Sequence, residues 1–269
     1  MKYKRLNKII NNIDIEFSIF EHPLINEPDF IKDISEQHSD HLKDGEIVID
    51  IGANHGTNSL IYASKVGPNG RVYSFEASPK IFKHLEENVS RNKNLNITSL
   101  NKAITEEDGD YTFHYVDPCI NGGFASETDS GIGSCGHCKP LEVQGVNLIK
   151  WINENLSREE QNRISFIKID TEGYDFKIIK SIKYFLNDSS RDIRPVVNFE
   201  FFTTVSEREV LEIISTFNDL DYLIFYKRGA SSKLSHLDSL IHKHNYKRVF
   251  SILNGFDCVA YPIEQVLTK

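Results

Sequence analysis

Val48-Ile49-Asp50-Ile51-Gly52-Ala53-Asn54-His55-Gly56-Thr57-Asn58-Ser59 is the stretch on which the fold turns. Ile47 to Ile51 is short, apolar and β-branched, the pattern of a strand covered on both faces. An acid near its end, two glycines and an immediate helix bring free backbone N–H groups and a positive helix dipole to the strand's lip. That arrangement takes a nucleotide or an amino-acid carboxylate. The bland alternative is a tight strand-to-helix turn. The glycine spacing sorts the ligands. A dinucleotide fold uses G-x-G-x-x-G, whereas Gly52 and Gly56 are separated by Ala53, Asn54 and His55, and Asp50 stands where a pyrophosphate is unwelcome.

Outward from this stretch the chain keeps a βαβ rhythm. Thr57 to Lys65 reads as a helix, Arg71 to Glu76 as a strand, and Pro79 to Asn92 as a helix with Ile81, Phe82, Leu85 and Val89 on one face. Ile97 to Leu100, Ile164 to Asp170 and Val196 to Phe201 are further strands, the last two separated by a helix over Asp175 to Leu186. Apolar strands joined by helices predict an α/β fold with a mostly parallel sheet and helices on both faces. Ile13 to Ile19 alternates as a half-buried strand, and Glu27 to Leu42 reads as a covering helix. Tyr222 to Tyr226, Asp257 to Tyr261 and a short strand over Val249 to Leu253 form the far edge, with a helix near His236 to His244. Tyr111 to Pro140, rich in glycine, is a hairpin or long loop inserted after the third strand of the core. The chain therefore reads as one domain over residues 1–269: an extension at 1–44, a core at 45–262 and the insertion at 111–140.

The second strand of the core ends in Phe75-Glu76, and a carboxylate there accepts two ribose hydroxyls. Ribose and an amino-acid zwitterion without a pyrophosphate describe S-adenosylmethionine. Val48 to Ser59, Phe75-Glu76-Ala77-Ser78-Pro79, Asn101-Lys102-Ala103-Ile104 before Asp108-Gly109, Val143 to Ile152, and Phe166-Ile167-Lys168-Ile169-Asp170-Thr171-Glu172-Gly173-Tyr174-Asp175 follow in order. Together these motifs resemble the FkbM family of S-adenosylmethionine-dependent methyltransferases, over about residues 40 to 262. The resemblance implies a class I methyltransferase, Rossmann-like, with a seven-stranded sheet whose last strand is antiparallel. It also implies O-methylation of a hydroxyl on a sugar, glycan or secondary metabolite. Thr171 and Tyr174-Asp175 depart from the commoner valine and alanine-glutamate, which bears on the acceptor.

Carried over residue by residue, Gly52, Ala53 and Asn54 would pass along the methionine moiety with Asp50 near its amino group. Glu76 would hold the ribose, and Ala77, Ser78, Lys102 and Ala103 would border the adenine. Asp170, at the end of the fourth core strand, faces the crevice as a cofactor contact or as a base. Asp170 and Glu172 are the candidates for general base, with loop fixation the other role for Glu172. His55 reads as a polar loop residue, and Glu200 as a substrate contact or a plain acid at the sheet edge.

Thirty-one Lys and Arg against 39 Asp and Glu leave a net charge of −8, which disfavours a polyanionic partner. The place after the fourth core strand carries Asp170-Thr171-Glu172-Gly173 instead of an N-P-P-Y tetrapeptide, and Pro118-Cys119 is misplaced for cytosine C5 chemistry. Nucleic acid is accordingly not the expected partner. The acceptor is a small molecule or carbohydrate, with no stretch apolar enough to span a membrane. Four cysteines and no signal core suit reduced thiols and a cytoplasmic setting. A zinc knot would take Cys119, Cys135 and Cys138 plus His114, His137 or Cys258. One knuckle leaves the fourth ligand open, and unlinked thiols with no metal are the favoured reading. Two further classes stay open: an NAD-dependent Rossmann oxidoreductase, and a non-catalytic module that keeps the pocket to bind a partner.

Overall fold

The computed structural model describes residues 3–20, 41–115, 139–171, 173–188, 190–201, 206–226, 235–237 and 256–267. The chain opens with an antiparallel hairpin, β1 (Tyr3–Ile10) and β2 (Ile13–Phe20). Asn11 and Asn12 join its strands at φ 50° and 61°. Two-residue hairpin turns need this left-handed geometry, and asparagine tolerates it. There follow β3 (Ile47–Ile51), α1 (Thr57–Val66), β4 (Arg71–Phe75), α2 (Pro79–Arg91) and β5 (Ile97–Leu100). Next come β6 (Ala103–Thr105), β7 (Gly109–Tyr115), β8 (Lys139–Asn147), α3 (Leu148–Asn155) and α4 (Arg158–Asn162). The chain continues with β9 (Ile164–Ile169), α5 (Asp175–Leu186), β10 (Val196–Phe201), α6 (Glu207–Asp219) and β11 (Tyr222–Tyr226). It closes with β12 (Ser235–His236), β13 (Phe256–Pro262) and α7 (Ile263–Leu267).

The main sheet has the order β12-β11-β13-β10-β9-β3-β4-β5. β10, β9, β3, β4 and β5 run parallel, and β13 is antiparallel to both β10 and β11. The seven strands expected from the sequence are all present, with the two-residue β12 as an addition. Strand order reverses at β3, which pairs with β4 on one side and β9 on the other. A crevice opens outside the carboxyl ends at such a switch point.

Two cores explain why all five residues of β3 are buried. Ile49, Ile51, Phe75, Ile167, Ile169 and Phe199 face α3, α5 and α6 through Ile152, Ile178, Ile182 and Phe217. Val48, Val72, Phe166 and Val196 face Leu60 and Ile61 of α1 and Ile15, Phe17 and Ile19 of the hairpin. The N-terminal extension thus completes one layer of the domain.

Two parts of the sequence reading change, at β1 and at α2. β1 alternates too weakly in hydrophobicity to be recognised, because Lys4, Arg5 and Asn7 face water. The described ends of the segment read as a hairpin or long loop pair antiparallel as β7 and β8, and with β6 they make a separate sheet in the order β6-β8-β7, while residues 116–138 lie outside the described residues. In α2 the buried residues are Ile81, Leu85 and Asn88, while Phe82 and Val89 are half-buried. Most of the helix expected over Glu27 to Leu42, most of that near His236 to His244, and the strand over Val249 to Leu253 lie outside the described residues.

Candidate active site at the carboxyl ends of β3, β4 and β9

The loop after β3 is pinned on both sides. Gly52 and Ala53 donate their N–H groups to the Phe75 carbonyl at 3.0 and 2.9 Å, and the Asp170 N–H donates to the Ile51 carbonyl at 3.1 Å. Gly52 (φ 72°), Asn54 (φ 52°) and Gly56 (φ 82°) turn the chain sharply into α1. A Cβ on Gly52 would lie 1.8 Å from the Asp170 carbonyl oxygen, so only glycine admits this approach. Among the described residues no side chain caps α1, whereas Ser78 caps α2 and Asn147 caps α3. The first turn of α1 is left to other partners.

Glu76, just beyond β4, accepts from the Asn54 N–H at 2.9 Å and from the Ser78 N–H at 2.8 Å. One carboxylate therefore ties the glycine loop to the turn that starts α2. Burial pushes Glu76 up to about 7, against the pull of the Ser78 and Asn54 amides. Asn101, unassigned in the sequence reading beyond its motif, donates from Nδ2 to the Glu76 and Ala77 carbonyls at 2.8 and 3.1 Å. This fixes the chain on which Lys102 and Ala103 follow. Ala103 is buried and pairs with Gly145 of β8.

A polar row crosses the sheet beneath the loop. Ser74 donates to Ser59 Oγ at 2.8 Å, and Ser59 donates to Asp50 Oδ2 at 2.6 Å. Lys168 Nζ stands 3.6 Å from Asp50 Oδ1 and 3.0 Å from Asp170 Oδ2. Asp50 is 0% exposed, and desolvation pushes its carboxyl up in spite of Lys168. For Lys168 desolvation opposes the charge, but Asp170 and Asp50 outweigh it and hold the ammonium well above the usual lysine range. One ammonium thus serves two carboxylates. The sequence reading did not assign Lys168 a role, because its partners appear only when β9 lies in register beside β3.

Asp170 is half-exposed at the crevice. On its far side, Asp175 accepts from the Thr171 N–H and hydroxyl at 3.1 and 2.5 Å and from the Glu200 N–H at 3.3 Å. Burial raises Asp175 to about 6. Glu200 pairs in register with Asp257, and burial followed by Asp170, Asp257 and Asp175 pushes it up to about 8. His55 is neutral, since burial lowers it to about 4. The structure therefore brings Asp50, Gly52, Ala53, Asn54, Glu76, Ala77, Ser78 and Asp170 together at one end of the sheet. Glu172, Cys119, Cys135 and Cys138 lie outside the described residues, and Cys258 is a buried free thiol on β13.

Asn54 Oδ1 is buried and accepts no hydrogen bond among the described residues, while Asp50 Oδ1, equally buried, faces only the Lys168 ammonium at 3.6 Å among them. The Asn54 acceptor, in a loop whose glycine admits no side chain, fits a ligand that brings a donor to a tightly turned backbone. The FkbM methyltransferase domain matches residues 50–248.

The chain belongs to the FkbM methyltransferase family.

Membership makes S-adenosylmethionine the cofactor, and the match runs from the end of β3 through β12, taking in the elements that build the site. No curated protein matches the chain. Among solved structures, the FkbM methyltransferase of Methylobacillus flagellatus KT is 14% identical with a TM-score of 0.49, covering 82% of this chain and 44% of that one. The chain thus spans less than half the length of that relative. Precorrin-6y C5,15-methyltransferase from Geobacter metallireducens GS-15 is 12% identical with a TM-score of 0.46, covering 90% and 92% of the two chains. Aeropyrum pernix fibrillarin, with natively bound S-adenosyl-L-methionine, is 13% identical with a TM-score of 0.42, covering 81% and 67%. Among the described residues no helix is long and apolar enough to cross a membrane.

Proposed function

We propose that this FkbM-family protein transfers a methyl group from S-adenosylmethionine to a hydroxyl of a sugar, glycan or small metabolite. The observation that carries the reading is the convergence of Gly52, Glu76 and Asp170, with Glu76 bonded to the loop amide of Asn54 and Gly52 packed on Asp170. Bound S-adenosylmethionine supplies a methyl group on a sulfonium, an electrophile that needs no further activation. What the chain adds is alignment and removal of a proton. Gly52, Ala53 and Asn54 hold the amino-acid portion, Asp50 supports that loop from beneath, Glu76 accepts the ribose hydroxyls, and Ala77, Ser78, Lys102 and Ala103 border the base.

Asp170 would take the proton of the acceptor hydroxyl, whose oxygen would receive the methyl group that the bound sulfonium supplies, leaving the neutral thioether. Lys168, at 3.0 Å, keeps the Asp170 carboxylate turned and paired between turnovers. Positioning of this kind contributes up to roughly 7–11 kcal/mol, and a general base about 10²–10⁴-fold. Glu172 remains the second candidate for the base from its place two residues on. Oxidoreduction with NAD fits less well, because Asp50 and the Gly52 to Gly56 spacing do not suit a pyrophosphate. Incubation with S-adenosylmethionine and a panel of sugars, glycans and hydroxylated metabolites tests the reading through formation of S-adenosylhomocysteine. Methylation at oxygen supports it, and methylation only at nitrogen or carbon overturns the hydroxyl assignment.

A further inference from the structure

We propose that the N-terminal hairpin is a strap on the cofactor loop, and that Asn88 of α2 is the positioning residue that joins the two. The proposal rests on the reading of residues 50–59 as the loop that holds S-adenosylmethionine. Asn88 is fully buried. Its Nδ2 donates to the Ser18 carbonyl at 3.0 Å and to the His55 carbonyl at 2.7 Å, and its Oδ1 accepts from the Ser18 N–H at 2.7 Å. A single amide therefore satisfies both main-chain groups of Ser18 on β2 and one in the glycine loop.

His55 is held a second time through its ring. Tyr3 of β1 meets it edge-on at 5.8 Å while stacking on His84 at 3.9 Å. These two contacts of His55 lead back to the hairpin, and its ring also faces His84 of α2 at 6.2 Å. The residues on either side of His55, Asn54 and Gly56, have left-handed φ values of 52° and 82°. Non-glycine backbone in that region persists where its surroundings hold it.

The hairpin itself is fixed to the helices. Asn92 repeats the pattern of Asn88 one turn on, accepting from the Glu16 N–H at 2.9 Å and donating to its carbonyl at 2.8 Å. Arg91 Nη1 meets Glu16 at 2.9 Å, and Asn11 donates to Ser64 of α1 at 3.1 Å. The hairpin precedes the matched residues 50–248, so the strap is an addition to the part that defines the family. Its release would free His55 and let the turn at Asn54 to Gly56 relax, weakening ligand binding. By linkage, a ligand that prefers the strapped loop must protect the hairpin by the same factor.

The experiment pairs calorimetric binding of S-adenosylhomocysteine with amide hydrogen exchange of Glu16 and Ser18, in the full chain and in Asn88→Ala and Tyr3→Ala. Affinity is expected to fall at least tenfold in Asn88→Ala and at least threefold in Tyr3→Ala. The ligand should slow exchange at Glu16 and Ser18 in the unaltered chain and lose that effect in Asn88→Ala. A merely structural Asn88 would lower the melting temperature, leave Tyr3→Ala binding like the parent, and leave hairpin exchange indifferent to ligand. That combination overturns the strap. If Asn88→Ala does not fold, Tyr3→Ala and the exchange of the unaltered chain still decide. Absence of binding to the unaltered chain overturns the cofactor reading underneath.

Discussion

Gly52 and Asp170 touch through their backbones: a Cβ added to Gly52 would fall 1.8 Å from the Asp170 carbonyl oxygen. The loop proposed to receive the cofactor and the residue proposed as base thereby meet at a close backbone contact. Gly52→Ala should push the two strand ends apart and impose a side chain on φ 72°. The backbone strain alone costs about 1–3 kcal/mol, and the clash adds to it. Urea unfolding should show at least that loss, and a variant as stable as the parent would show that the contact is not tight.

Lys168→Met should be among the most damaging single changes in the sheet. It leaves the Asp50 carboxylate, 0% exposed, without its cation. Breaking a buried pair from one side costs roughly 3–5 kcal/mol. Adding Asp50→Asn should recover part of that loss, since an amide carries no stranded charge. A double variant no more stable than Lys168→Met would argue against coupling between the two residues.

Stability of the ligand-free chain should fall as pH rises from about 6.5 to about 8.5. Glu76 and Glu200 have folded values of about 7 and 8, above their ordinary 4.5. Asp175, at about 6 against an ordinary 3.8, is raised in the same sense. A carboxyl raised on folding stabilises most below its unfolded value and loses that contribution as pH climbs through the folded one. His55, lowered from 6.5 to about 4, works in the opposite direction only below this window. Melting temperatures across the window should therefore decline, and Glu200→Gln should flatten the decline. A rising or level profile in the parent would contradict the burial of these acids.

Asp170→Asn separates binding from chemistry. The amide keeps the size of the side chain and cannot accept the hydroxyl proton. Single-turnover methyl transfer to an acceptor found in the panel should drop about 10²–10⁴-fold, with S-adenosylhomocysteine affinity within a few-fold of the parent. Undiminished turnover would move the role of base to Glu172.

The sheet was legible because its strands are contiguous apolar runs and the helices between them carry an apolar face. Val48 to Ser59 carries the strand, the turn and the helix start in consecutive residues. Glu76 and Asp170 were legible because each follows directly on such a strand. Lys168, Asn88 and Asn101 were not. Lys168 depends on parallel pairing that sets it beside Asp50, and nothing local distinguishes it from a surface lysine. Asn88 sits in a helix whose apolar pattern points to Val89, and its partners, on β2 and in the glycine loop, are remote in sequence. Asn101 gains its meaning from carbonyls 24 and 25 positions earlier. β1 was hidden by the polar residues on its outer face, although Asn11-Asn12 marks its turn.

On the proposed function, the carboxyl ends of β3, β4 and β9 hold S-adenosylmethionine with Glu76 on the ribose. Calorimetric titration of S-adenosylhomocysteine into the parent and Glu76→Ala tests it most directly, with NAD titrated as a control. The parent should bind S-adenosylhomocysteine at one site, NAD should give no heat, and Glu76→Ala should lose at least tenfold in affinity, about 1.4 kcal/mol. Equal binding in the two proteins, or binding of NAD in place of S-adenosylhomocysteine, would contradict it.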